Sequence, residues 1–146
     1  MTTVKSKLVI YKPIKEVFTY MASPHNGPAF IPNLSENANI SPEADGVGQK
    51  FDWRFNMAGV DMRGKAEVTE YDSPNKVVIS STGDANSKWV YELKSIDENS
   101  TDVSVEIEYN LSETVLQRIA NNAVINKIAQ KTTEQMLDSL KVILEA

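Results

Sequence analysis

The residues able to do chemistry in this 146-residue chain are few and widely spaced. There is no cysteine and a single histidine, His25. Thiolate chemistry and disulfides are therefore excluded, and a zinc site, built mainly from Cys and His, has only carboxylates to draw on. No metal and no cofactor are expected. By residue type His25 is the obvious general base, but it stands in the connection Ser23-Pro24-His25-Asn26-Gly27-Pro28, where a solvated loop residue is the ordinary outcome. Among the carboxylates of the middle region, Glu67, Glu92, Glu106 and Glu108 share the parity of the lysines and belong on a solvated face, whereas Glu70 has inward parity near a strand end. His25 and Glu70 are thus the only acid-base candidates. A buried carboxylate pair, a nucleophile with its base, or a phosphate loop cannot be assembled, and Gly46-Val47-Gly48 is a hairpin turn because no helix follows it.

Aromatic and sulfur-bearing side chains, by contrast, recur at strand spacing. Trp53, Phe55 and Met57 alternate with Asp52, Arg54 and Asn56, and Met62, Gly64, Ala66 and Val68 alternate with Asp61, Arg63, Lys65 and Glu67. Trp89 and Tyr91 alternate with Lys88 and Glu92, and Tyr109 lies on the apolar side of Val103 to Leu111. Any one of these is ordinary core. As a set, amphipathic rings beside methionines and small residues make an adaptable apolar wall with a few hydrogen-bonding points, as a small-molecule pocket requires. Gly64 and Ala66 are expected to leave room, with Tyr91, Tyr109, Ser81 and Asn122 orienting a ligand. Arg54 and Arg63 have outward parity and are expected to form exposed ion pairs with Asp52 or Asp61.

The elements that must position this wall follow from period and turn signals. Lys7 to Tyr11 reads as a strand, and Pro13 opens a helix carrying Ile14, Val17, Phe18 and Met21. A second helical turn is expected at Ala29 to Ile31 and a strand around Asn37 to Ser41. Turns near Gly46, Gly59, Pro74, Gly83 and Asn99 then bound at least five strands, best built as an antiparallel meander. From Ser112, a plausible N-cap, to Ala146 the apolar spacing of three and four predicts one long helix. Asn121, Asn122 and Asn126 soften its first half, which suggests that this half covers a looser interior. Hydrophobic residues at 41%, charged residues at 24% and a net charge of -5 fit one domain over residues 1–146 and argue against a nucleic-acid surface. Neither a signal peptide nor an apolar run of about 18 residues is present, so a cytoplasmic protein without stable membrane insertion is expected.

The order of these features resembles a known family. Pro13-Ile-Lys-Glu-Val17-Phe18, Met21-Ala-Ser-Pro-His-Asn26-Gly-Pro-Ala-Phe30-Ile-Pro32, Gly48-Gln-Lys-Phe-Asp-Trp53, Val68-Thr-Glu-Tyr-Asp-Ser-Pro74, Trp89-Val-Tyr-Glu-Leu93 and the terminal helix together look like the START/SRPBCC superfamily, most closely its polyketide cyclase/dehydrase-like bacterial branch. The resemblance spans nearly the whole chain, with departures at Phe30, where the family often has Trp, and at Ser23, where it often has Asp. It implies an α+β helix-grip fold, in which a curved antiparallel sheet of six or seven strands wraps a long C-terminal helix, with two short helices after strand 1. It also implies an apolar ligand pocket between sheet and helix. The His25 loop would sit near the pocket mouth.

The expected function is binding of a hydrophobic or aromatic, lipid- or polyketide-like small molecule by Phe30, Trp53, Phe55, Met57, Met62, Trp89, Tyr91, Tyr109 and Asn122. That expectation calls for a cavity above about 300 Å³. The alternative is a cyclase/dehydratase-type enzyme acting in the same cavity through His25 or Glu70. A homodimerising interaction module through the sheet edge or the first helix ranks third.

Overall fold

The structure is a computed structural model that describes residues 2–42, 46–119 and 122–146. Seven strands form one antiparallel sheet in the order β1-β7-β6-β5-β4-β3-β2. Strand β1 (Thr2–Ile10) pairs along its whole length with β7 (Ser100–Leu111), from Thr2 opposite Tyr109 to Ile10 opposite Thr101. It starts earlier than its apolar pattern suggests because the long partner strand gives every residue of Thr2-Thr-Val-Lys-Ser-Lys a backbone ladder to join.

β1 and β2 (Leu34–Ala38) lie at opposite edges of the sheet, so the chain between them must cross from one edge to the other. It does so as α1 (Ile14–Ala22), a 3-10 turn (Pro24–Asn26) and α2 (Gly27–Phe30), closing one end of the curved sheet. Pro13 supplies the carbonyl that receives the amides of Glu16 and Val17 at 3.0 and 3.2 Å. Val17, Phe18, Met21 and Ala22 are the buried face of α1. β2 lies three residues before the expected Asn37 to Ser41. Asn33 and Asn39 adopt positive φ (66° and 52°) on either side of it, and asparagine tolerates that left-handed conformation better than most side chains. Those two residues, rather than an apolar pattern, bound the strand.

β3 (Lys50–Met57) and β4 (Val60–Asp72) form a hairpin turning at Ala58 and Gly59, both at positive φ (51° and 83°), as a two-residue hairpin turn requires. β5 (Lys76–Gly83), β6 (Ala85–Asp97) and β7 continue the meander, and Asp84 alone separates β5 from β6. The outer face carries the expected pairing of Arg54 and Arg63 with Asp61, at 2.7 and 3.7 Å, while Asp52 pairs with Lys65 at 3.0 Å. In water such pairs add little stability.

The C-terminal segment is two helices, not one. Ser112 Oγ caps α3 (Glu113–Arg118) by accepting the Val115 amide at 3.3 Å, after which Ile119 is extended (φ -109°, ψ 113°). The expected Asn121 lies outside the described residues. α4 (Asn122–Glu145) then runs 24 residues, about 36 Å at 1.5 Å per residue, and lies along β1. Gln130 Nε2 donates to Lys5 O and Lys141 Nζ to Val9 O, each at 3.0 Å. Glu145 receives the Tyr11 amide at 3.0 Å, and Lys141 sits 4.3 Å over the Tyr11 ring. Met136, Leu137 and Leu140 are completely buried. Nearer the start of α4 only Ile125 and Ala129 are buried hydrophobics, and that thinner half overlies the hollow described next.

Candidate functional site

Strand alternation sends one side chain in two toward α4, and the register aligns those side chains in rows across the sheet. One row runs Phe51, Ala66, Ser81, Ser87, Tyr109 from β3 to β7. A second runs Val68, Ile79, Trp89, Ile107. Apart from Val68, the residues of these rows, with Trp53, Phe55, Met57 and Met62, line a cavity roofed by Ala129 and Thr132 of α4 and closed at one end by residues from Met21 to Leu34. Its lining, among the described residues, contains no Asp, Glu, His, Lys or Arg. No group of three or more His, Cys, Asp or Glu able to hold a metal occurs among the described residues.

The cavity encloses about 130 Å³, less than the volume expected from the sequence. Two aromatic side chains occupy space in its wall. Trp53 lies over Gly64, where an added Cβ would come 2.6 Å from indole Cζ2 and 2.0 Å from Thr82 O. Gly64 therefore makes way for an indole and does not leave open space; of the two small residues expected to do so, Ala66 alone lines the cavity. Phe30 turns inward from α2, its ring 5.9 Å from that of Tyr20, and is 2% exposed.

Polar groups are placed sparingly in this wall. Ser81 and Ser87 share a short hydrogen bond between their hydroxyls, and Trp89 Nε1 donates to Ser87 Oγ at 3.0 Å. Ser81 Oγ also donates to Ala85 O at 3.3 Å. Tyr109 donates its hydroxyl to Asn126 Oδ1 at 2.6 Å, joining β7 to α4. Burial raises the Tyr109 phenol above its ordinary pKa of 10.0, partly opposed by a hydrogen bond from Thr2. Tyr91 is 2% exposed, and burial alone pushes its phenol far above 10.0, so it stays protonated and offers a hydroxyl, not a base.

Of the residues expected to form the site, Phe30, Trp53, Phe55, Met57, Met62, Trp89, Tyr91 and Tyr109 all line this one cavity. Asn122 does not. It is exposed at the first residue of α4, and the helix break after Arg118 sets a new phase in which Asn126 meets Tyr109. His25 is exposed within the 3-10 turn, although its neighbours Pro24 and Gly27 line the cavity. Glu70 points to solvent. The register slips between Val68, opposite Ile79, and Glu70, opposite Val78, so the extra residue Thr69 reverses the parity from which an inward Glu70 was expected. Its carboxylate instead pairs with Lys76 at 3.0 Å and raises that amine. Ser87 and Asn37 also line the cavity. Ser87 shares the parity of Trp89 and Tyr91 and was legible by alternation, whereas Asn37 sits where the sequence carries no periodic signal.

Known proteins agree with this architecture. A family model described as polyketide cyclase / dehydrase and lipid transport matches residues 1–145. No curated protein matches the chain in sequence. Among solved structures, the chain is similar to the protein TTHA0849 from Thermus thermophilus, at 17% identity and TM-score 0.80, over 96% of this chain and 94% of that one. It is similar also to the Zhui aromatase/cyclase from Streptomyces sp. R1128, at 10% identity and TM-score 0.81, over 99% and 93%. A START superfamily protein from Mycobacterium smegmatis aligns at 12% identity and TM-score 0.81, over 98% and 97%. At such identities the likeness concerns the helix-grip fold.

Proposed function

Starting from a chain that belongs to the polyketide cyclase/dehydrase and lipid transport family, we propose that it is a cytoplasmic binding protein for a compact hydrophobic or aromatic small molecule, held between the sheet and α4. The observation that carries this reading is a hollow lined by Trp53, Trp89, Tyr91 and methionines with no ionised side chain among the described residues. An apolar cavity of about 150 Å³ takes up benzene, so about 130 Å³ suits a compact aromatic of one ring or two small fused rings, or a short alkyl chain. A larger, polyketide-sized ligand requires the Phe30 end to move. A ring-sized ligand burying about 200 Å² gains about 5 kcal/mol at 25 cal/mol per Å² before association costs. About 5 kcal/mol corresponds to about 0.2 mM, so with association costs an affinity of roughly a millimolar follows.

The cyclase reading draws on the aromatase/cyclase among the structural relatives. It lacks the proton acceptor within reach of a substrate that such chemistry requires, since His25 and Glu70 lie outside the lining. Binding is therefore preferred. The test is a titration with single- and two-ring aromatics followed by the fluorescence of Trp53 and Trp89, both on the cavity wall. Saturable change in both indoles is expected. A panel that produces none up to the ligands' solubility limits overturns the reading.

A further inference from the structure

The hydrogen atoms of the polar groups in the cavity wall can be assigned by counting. Three bonds link Trp89 Nε1 to Ser87, Ser87 to Ser81, and Ser81 to Ala85 O, and the three groups carry one hydrogen each. A single arrangement satisfies all three bonds. The indole N–H points to Ser87 Oγ, the Ser87 hydroxyl to Ser81 Oγ, and the Ser81 hydroxyl to the Ala85 carbonyl. Every hydrogen of the chain is spent inside the protein, and each serine oxygen keeps one free lone pair.

The same asymmetry recurs around the cavity. Trp53 Nε1 donates to Lys65 O at 3.3 Å, and Asn37 Nδ2 to Pro24 O at 2.8 Å. Tyr109 donates to Asn126, and Thr132 Oγ1 to Ile128 O at 2.9 Å. Asn37 Oδ1, fixed as the acceptor end by the bond from its amide nitrogen, is the buried side-chain polar atom left without a partner among the described residues. Asn37 is itself one of the lining residues. The Tyr91 and Ser23 hydroxyls, which also line the cavity, can both give and accept, so the bias is set by the Ser81–Ser87–Trp89 chain, whose hydrogens are all spent.

Resting on the binding reading above, we infer that the cavity selects a ligand whose polar group is an uncharged hydrogen-bond donor, a hydroxyl or an N–H, received by the Ser81 and Ser87 oxygens. Carboxylates and phosphates are rejected. An anion placed there faces lone pairs with no lysine or arginine in the wall to offset it, and burying an unpaired charge is far costlier than burying a paired polar group. A ligand bearing a donor instead gives partners to oxygens that are otherwise half used.

The test compares indole with benzofuran, which has the same shape but a ring oxygen in place of the N–H, and with benzoate as the one-ring anion, by calorimetric titration of the full chain. Indole is expected to bind about three- to ten-fold more tightly than benzofuran, the value of one net hydrogen bond, with benzoate too weak to measure. Ser87→Ala removes one acceptor and leaves the Trp89 N–H unspent, so the preference for indole should vanish or reverse. Ser81→Ala should shrink it, and Ser80→Ala, on the outer face of β5, should leave it intact. Equal or tighter binding of benzofuran to the wild type, measurable preference for benzoate, or a preference surviving both Ser81→Ala and Ser87→Ala overturns the inference while leaving the cavity a binding site. If none of the three probes binds, the binding reading falls and takes the inference with it. Should Ser87→Ala not fold, Ser81→Ala and the wild-type comparison decide alone.

Discussion

Replacing Ala129 by leucine separates a hollow kept for a ligand from an incidental packing defect. Ala129 is 7% exposed, lies on the thinner half of α4 and faces the cavity. At about 24 cal/mol per Å³, a void of about 130 Å³ corresponds to about 3 kcal/mol that a filled core would add. Leucine contributes three more carbons, worth about 0.8 kcal/mol each when buried. Lost rotamer freedom subtracts about 0.5–1 kcal/mol, and helix propensity barely changes. The variant should therefore be more stable by about 1.5–2 kcal/mol, a rise in Tm of roughly 5 °C for a chain of this size. The same carbons occupy the ligand's space, so aromatic binding should weaken at least about ten-fold, the stability–function trade-off of a vacated site. Thermal melts by circular dichroism and tryptophan titrations on one preparation read both. A variant that melts lower and binds aromatics as well as the wild type refutes the reasoning, because the new side chain would then have met packed protein and left the ligand's site untouched.

Three further outcomes follow from particular contacts. Gly64→Ala drives a Cβ against Thr82 O and the Trp53 ring; since backbone cannot yield as a side-chain end does, a loss of about 1–3 kcal/mol is expected, together with a shifted Trp53 emission, and unchanged stability would contradict the packing described. His25→Ala and Glu70→Gln, singly or together, should leave aromatic affinity within about two-fold of wild type and cost under about 1 kcal/mol each, as exposed groups do; a ten-fold affinity loss would return them to the site. The Glu145 carboxylate is held below its ordinary 4.5 by the Lys141 side chain and the Tyr11 amide. Its contribution is therefore full above that value and is lost as pH falls through the lower folded-state pKa. The Tm difference between wild type and Glu145→Gln should accordingly be steady near neutrality and close in acid, and a difference that does not change with pH counts against the clasp between α4 and the β1–α1 joint.

Much of the architecture was legible because period-2 alternation over Phe51 to Met57, Val60 to Val68 and Val103 to Leu111 fixes which side chains face α4. The buried face repeats that alternation at Phe51, Trp53, Phe55 and Met57. What escaped was local. The bulge at Thr69 reverses parity by one residue and leaves no mark in composition, so Glu70 reads inward until the register is known. The extended Ile119 interrupts a helical pattern without proline or glycine, so Asn122, expected to meet a ligand, is exposed, and Asn126 meets Tyr109. β2 is bounded by asparagines in left-handed conformation rather than by apolar residues, and that concealed Asn37. Cavity size was the least readable quantity. A glycine facing inward looks like vacancy in sequence, yet here an indole fills it.

Methionine methyl groups offer the most direct measurement of the central claim. Met21, Met57 and Met62 line the cavity, whereas Met136, completely buried on the densely packed half of α4, does not. With carbon-13 in the methionine methyls, titration with indole should move the resonances of Met21, Met57 and Met62 along one saturation curve and leave Met136 nearly in place. Saturable binding with those three methyls unmoved, or with Met136 moving most, would put the ligand elsewhere and contradict the account.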